Sequence, residues 1–105
     1  TEPVVGPVAL KAIAGFNLRY AFVGTDGFSL AAGLTTQLVE GAEIVKAMKA
    51  RAEETWLVAD SSKYGKSGFV SVLPLEEMDG IITDTKLDEG ARRAMAEANL
   101  QVRMV

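Results

Sequence analysis

Apolar runs that end in a polar turn recur along this chain of 105 residues. Ala21-Phe22-Val23 leads into Gly24-Thr25-Asp26-Gly27, and Trp56-Leu57-Val58 leads into Ala59-Asp60-Ser61-Ser62-Lys63. Each pattern predicts a buried strand followed by a polar loop. The carboxyl ends of parallel strands are where ligands collect. We therefore expect the two polar loops to share one pocket.

The hydrophobic spacing elsewhere predicts strands that alternate with helices. The predicted strands are 19–24, 55–59, 69–73, 80–84 and 101–105, and the predicted helices are 7–14, 38–54 and 88–99. Residues 26–36 contain Gly27 and Gly33 among small side chains, which is typical of a loop. Such an alternation predicts an α/β fold with a mostly parallel sheet flanked by helices.

The composition narrows the chemistry that this chain can perform. It has no cysteine and no histidine, which excludes a thiolate nucleophile, a cysteine zinc site and a histidine-based catalytic triad. The net charge of −3 gives no electrostatic footprint for nucleic acid. No apolar run approaches the roughly 18 residues of a membrane span, and we expect a cytoplasmic protein that binds no membrane, metal or cofactor.

The polar strand ends are suited to binding a small polyol or its phosphate. Asp26 lies in a glycine-flanked turn, two threonines precede the long predicted helix, and Lys63 follows a carboxylate and a hydroxyl. Simpler interpretations stay open: a turn aspartate that bonds its own loop, a threonine helix cap, and a solvated lysine. The candidate ligand-binding residues are Asp26, Gly27, Thr35, Thr36, Asp60, Ser62 and Lys63.

Five segments in a fixed order resemble a known family. They are Gly24-Thr25-Asp26-Gly27-Phe28-Ser29, Gly33-Leu34-Thr35-Thr36, Lys46-Ala47-Met48, Ala59-Asp60-Ser61-Ser62-Lys63-Tyr64-Gly65 and Ile81-Ile82-Thr83-Asp84. Together they resemble the C-terminal sensor domain of DeoR/GlpR-type bacterial transcriptional regulators. The resemblance implies the Rossmann-like fold of ribose-5-phosphate isomerases, a phosphorylated sugar as effector, and assembly into homo-oligomers.

The resemblance also implies what lies outside residues 1–105. The family's DNA-binding winged helix and its first sensor strands, with their phosphate loop, would precede Thr1. We therefore expect an N-terminally truncated, partial sensor domain with an unpaired sheet edge. Operator DNA would be bound only through the missing N-terminal domain, as part of a repressor of carbohydrate metabolism.

An isomerase-like enzyme acting on a sugar phosphate is the alternative function. Asp26 or Glu43 would then be the base, and Lys63 would hold the substrate. The segment 24–27 is similar to the Gly-Ala-Asp-Glu loop of the isomerases, but Gly27 stands where they have glutamate. The lysine that opens their glycine-rich loop is also replaced, near Ala31-Ala32. These losses favour a site that binds without turnover and has no catalytic residue.

Overall fold

The computed structural model describes residues 17–105, which fold into seven strands and two helices. In chain order these are β1 (Leu18–Val23), β2 (Gly27–Ser29), β3 (Gly33–Thr36), α1 (Val39–Arg51), β4 (Ala52–Val58), β5 (Val70–Leu73), β6 (Gly80–Thr83), α2 (Glu89–Glu97) and β7 (Gln101–Met104). Two short 3₁₀ turns, Ser61–Lys63 and Leu75–Glu77, lie on either side of β5. The predicted helix 7–14 lies outside the described residues.

The main sheet contains four parallel strands in the order β1-β4-β6-β7. Along the chain, each new strand of this sheet lies on the same side of the strand before it, so the strand order never reverses. Right-handed crossovers therefore place all three connections on one face of the sheet. The prediction of an α/β fold with a parallel sheet is confirmed, and the carboxyl ends of all four strands lie along one edge.

A second, antiparallel sheet was not predicted. It has the order β2-β3-β5, and its first two strands occupy residues 26–36, where a loop was expected. The two glycines in this segment are required by tertiary contacts as well as by the turn. Gly33 has a φ of +73°, and a Cβ there would lie 2.2 Å from the Leu73 carbonyl oxygen. The loop prediction was wrong because these contacts come from distant residues.

The boundary between α1 and β4 also differs from the prediction. The helix was expected to extend to residue 54, but it ends at Arg51, and Ala52 begins the strand directly. Ala52 and Glu54 pair with Leu18 and Tyr20 of β1, so parallel pairing outweighs the helical propensity of this stretch. The later helix is confirmed: the carboxylate of Asp88 caps α2 by accepting from the Ala91 amide at 3.0 Å.

One hydrophobic core lies between the main sheet and its connections. Val23, Leu57 and Ile81 point from the sheet into this core. Helix α1 contributes Ala42, α2 contributes Met95, and β2, β3, β5 and the second 3₁₀ turn also contribute buried side chains. The core thus covers one face of the main sheet and fixes the strand ends that carry the polar loops.

Candidate functional site

Three polar loops follow the ends of β1, β4 and β6 at the same edge of the main sheet. The first contains Asp26, the second contains Asp60 to Lys63, and the third contains Asp84. Edges of this kind are the usual ligand-binding side of parallel α/β folds. The three loops together form the candidate site.

Asp26 connects the end of β1 to the start of α1. Its Oδ2 accepts hydrogen bonds from the Thr36 hydroxyl and the Gln37 amide, both at 2.9 Å. Among the described residues, its Oδ1 accepts none. Leu38 occupies the N-cap of α1, and no side chain caps this helix. The capping alternative for Thr35 and Thr36 is therefore wrong.

The buried side chain of Thr35 connects the backbone segments next to the site. It is buried, its hydroxyl donates to the Gly27 carbonyl at 3.2 Å, and it accepts from the Gly68 amide at 2.6 Å. Thr25, which sequence reasoning did not single out, donates to the carbonyls of Gly27 and Thr35 at 2.8 and 2.7 Å. These bonds hold the turn around Asp26 against the hairpin.

Gly27 is required by close packing rather than by its backbone angles. A Cβ at this position would lie 2.0 Å from the carbonyl oxygen of Lys66. Two backbones therefore meet here with no room for a side chain. The close approach joins the first loop to the chain that follows the second loop.

The second loop begins with a local aspartate turn. Asp60 Oδ1 accepts from the Ser62 amide at 3.0 Å and from the Ser62 hydroxyl. The hydroxyl bond is the main reason that the pKa of Asp60 lies below its ordinary value, and the Ser62 amide and the nearby Lys63 charge act in the same direction. Asp60 is thus a stable anion beside an ammonium group.

Asp84 fixes the second loop from the neighbouring strand. Its Oδ2 accepts from the Ser61 amide at 2.9 Å, and its Oδ1 accepts from the Lys86 amide at 2.9 Å. The bond from the Ser61 amide is the largest of several that lower the pKa of Asp84. Sequence reasoning placed this residue at a strand end but did not find its partner, because the two segments are 23 residues apart.

The first and second loops are joined through an aromatic contact. The rings of Phe28 and Tyr64 meet edge to face with centroids 5.6 Å apart. The Gly65 amide donates to the Phe28 carbonyl at 3.0 Å, and Gly65 has a φ of +84°, which glycine adopts without strain. The arrangement brings the two polar strand ends into neighbouring positions.

A cavity of about 320 Å³ opens beside Asp26. Asp26, Thr25 and Thr36 form its polar wall, and side chains from β1, β3, β5 and α1 form its apolar wall. Of the predicted ligand-binding residues, Asp26 and Thr36 line this cavity. Asp60, Ser62 and Lys63 lie on the adjoining loop and not in its wall, and Gly27 and Thr35 lie behind it. A single shared pocket therefore stays a prediction.

Within residues 17–105, no group of three or more metal-ligating side chains is positioned to hold a metal ion. Neither described helix is long and apolar enough to cross a membrane.

Comparison with known proteins assigns the family. Residues 1–85 match the DeoR C terminal sensor domain. The HTH-type transcriptional regulator GlpR of Haloferax volcanii is 36% identical over 102 residues, which cover 97% of this chain and 40% of that protein. The HTH-type transcriptional regulator IolR of Bacillus subtilis is 35% identical over 70% of this chain and 30% of its own length.

A repressor is among the relatives as well. The HTH-type transcriptional repressor CsqR of Escherichia coli is 24% identical over 94% of this chain and 38% of its own length. The chain spans about two fifths or less of these relatives, all of which are named as transcriptional regulators. The order of the polar strand ends along the chain and the matches with these regulators indicate the same family. The chain belongs to the DeoR C-terminal sensor domain family of transcriptional regulators.

Proposed function

We propose that this chain is the effector-sensing and oligomerisation part of a DeoR-family repressor of carbohydrate metabolism, and that its effector is a phosphorylated sugar. The observation that carries the proposal is the Asp26 carboxylate. One of its oxygens is held by Thr36 and Gln37, and the other is free of described partners beside a cavity of about 320 Å³. An anchored carboxylate of this kind suits adjacent sugar hydroxyls, which donate to it.

The walls of the cavity support a sugar in particular. Its apolar lining, which includes Val45 and Met48, suits the C–H surface of a sugar ring. Thr25 and Thr36 place hydroxyls on the polar side. In the proposal, Asp26 and Thr36 contact the effector, while Gly27 and Thr35 hold the backbone that presents them.

Lys63 provides the charge for the phosphate in this proposal. It lies on the loop that Asp84 fixes, next to the Asp60 carboxylate and the Ser62 hydroxyl. A charge-assisted hydrogen bond contributes about 1.5–3 kcal/mol. Removing it should therefore weaken binding roughly ten- to hundredfold.

Calorimetry with a panel of sugar phosphates and the matching unphosphorylated sugars tests the proposal. We expect a phosphorylated sugar to bind the intact sensor domain, Lys63→Ala to weaken it by the factor above, and Asp26→Asn to weaken it as well. Lys46→Ala, at an exposed lysine on α1, is the matched control and should leave the affinity unchanged. Equal affinity in Lys63→Ala and the parent would remove Lys63 from the site.

DNA binding is assigned in this proposal to a domain outside the present chain. The net charge of −3 leaves little phosphate-neutralising surface, and Arg92 is already paired with Glu89. An electrophoretic shift assay should show operator retention by the full regulator and none by residues 1–105 at physiological salt. Sequence-specific retention by residues 1–105 alone would contradict this division of labour.

A further inference from the structure

One face of helix α1 forms a wall of the cavity beside Asp26. The residues of this wall follow the spacing i, i+3, i+4, i+7, which places them on one side of the helix. They are Gly41, Ile44, Val45 and Met48. Three of them add an apolar side chain to the wall, and Gly41 adds none. The wall therefore lacks a side chain at its first position, the one closest in sequence to Thr36 and its bond to Asp26.

The described packing does not require glycine at position 41. The residue lies in the first turn of α1, a helix of 13 residues, and its φ is not positive. Among the described residues outside α1, a Cβ there would come within 4 Å only of the Thr36 hydroxyl, at the ordinary contact distance of 3.5 Å. Glycine is also among the least favourable residues in a helix, and alanine is the most favourable. The missing side chain therefore needs a reason other than packing.

The place where the side chain is missing supplies that reason. The Thr36 hydroxyl, which a Cβ at position 41 would contact, donates to the Asp26 carboxylate at 2.9 Å. A side chain at position 41 would therefore stand at the polar wall of the cavity, close to Asp26. The cavity measures about 320 Å³, which is near the lower end of the range of about 300–1,000 Å³ for ligand pockets. In so small a space, one added side chain competes directly with the ligand.

We propose that Gly41 is a specificity-determining residue that sets the size of the effector this cavity accepts. The missing side chain leaves room for the part of a sugar next to the hydroxyls that Asp26 binds, and it lets the backbone of α1 approach the ligand closely. The inference rests on the proposed function, because it takes a phosphorylated sugar as the occupant of the cavity.

Substitutions of increasing size at position 41, made in the full regulator that contains this chain, test the inference. The probes are sugar phosphates with three to six carbon atoms, and calorimetry measures their affinities, by competition where binding is weak. One methylene in a closely fitting pocket changes affinity about 10–200-fold, so Gly41→Ala should weaken the tightest probe roughly tenfold and Gly41→Leu at least roughly a hundredfold. The loss should be larger for six-carbon probes than for three-carbon probes, because a shorter ligand needs less of the space over Gly41.

A matched control and a second measurement separate loss of space from structural damage. Ala50→Leu adds a large side chain at an exposed position of α1 outside the cavity wall, and it should leave the affinity unchanged. Hydrogen exchange at the Gln37 amide, which donates to Asp26, reports whether that carboxylate keeps its place. In Gly41→Ala without ligand, this protection should equal that of the parent, and exchange along α1 should be unchanged or slower because alanine favours the helix.

Each failure has a distinct meaning. A parent that binds none of the probes would overturn the proposed function and this inference with it. A parent that binds a probe as tightly as Gly41→Ala and Gly41→Leu do would overturn the inference alone. An affinity loss that is equal for every probe size, or that accompanies loss of protection at the Gln37 amide, would assign the effect to the position of Asp26 and would also overturn the role of Gly41.

Discussion

The turn at Asp26 and the turn at Asp60 resemble each other in sequence but are held in different ways. Asp26 accepts from Thr36 and Gln37, 10 and 11 residues away, and so ties the strand end to the start of α1. Asp60 accepts from Ser62, two residues away, and its loop depends on Asp84 for its place in the fold. The carboxylate of Asp26 thus forms tertiary hydrogen bonds, whereas the carboxylate of Asp60 forms local ones.

The difference has a consequence for binding. A ligand that contacts Asp26 meets a group whose position is determined by a helix and a hairpin. A ligand that contacts Lys63 meets a short 3₁₀ turn with no buried residue. Preorganised groups lose less freedom on binding, so in the proposed site Asp26 sets orientation and Lys63 adjusts to the charge.

The largest difference in stability between the two turns is expected when the glycine in or beside each turn is replaced by alanine. Gly27→Ala puts a methyl group against the Lys66 backbone and should lower the free energy of unfolding by about 3 kcal/mol. Gly65→Ala meets no atom within 4 Å but forces alanine to a φ of +84°, which should cost about 1 kcal/mol. Urea unfolding followed by the fluorescence of Trp56, the single tryptophan, measures both.

Gly24→Ala is the control for the glycine series, because a Cβ there would meet nothing within 4 Å and the backbone does not have a positive φ. Its stability should stay within about 0.5 kcal/mol of the parent. If Gly65→Ala lowered the free energy of unfolding as much as Gly27→Ala, the second turn would be as tightly packed as the first. The proposed difference between the two turns would then be wrong.

The next largest difference in stability between the two turns is expected when a hydroxyl group is removed from each. Thr35→Val removes a buried hydroxyl and leaves the Gly68 amide without its acceptor, which should lower the free energy of unfolding by about 2 kcal/mol. Ser62→Ala removes only an exposed, local bond to Asp60, and its effect should stay below about 0.5 kcal/mol. Urea midpoints at constant m-value compare the two variants, and equal losses would contradict the tertiary role of Thr35.

The parts of the fold that depend on nearest neighbours could be predicted from sequence. The apolar runs of β1, β4 and β6 and the acidic start of α2 were located to within a few residues. The hairpin at 26–36 was missed because its glycines are needed for contacts with Leu73 and Lys66, and no local pattern reveals a distant backbone. The end of α1 was missed for the same reason, since pairing with β1 decides it.

In the candidate site too, only features with a local sequence signal could be predicted. Asp26 and the segment from Asp60 to Lys63 were predicted because strand ends in parallel sheets carry ligand-binding groups, and their role in binding stays a prediction. Thr25 and Asp84 were not chosen, although both support the site, because their partners lie 10 and 23 residues away in sequence. The available signal was that each is a polar residue directly beside a strand end, which selects candidates but not partners.

The smallest expected effect is the loss of stability of the second loop at acidic pH. In the second loop the pKa of Asp60 and the pKa of Asp84 both lie below the ordinary value of 3.8, chiefly through bonds from Ser62 and Ser61. A lowered pKa means that the folded state binds protons less readily than the unfolded chain. The stability from these carboxylates is therefore fully present above the ordinary value and is lost as the pH falls through the folded pKa.

Hydrogen exchange at the Ser61 amide localises this loss. Below about pH 4, where unperturbed aspartates take up protons, the amide should lose protection in the parent. In Asp84→Asn, protection should be lower at neutral pH and should change less with acid, because the group that titrates against this amide is gone. Glu89→Gln, which removes a carboxylate paired with Arg92 on α2, should leave the Ser61 profile unchanged. An identical acid response in Asp84→Asn and the parent would show that a group other than this carboxylate holds the second loop.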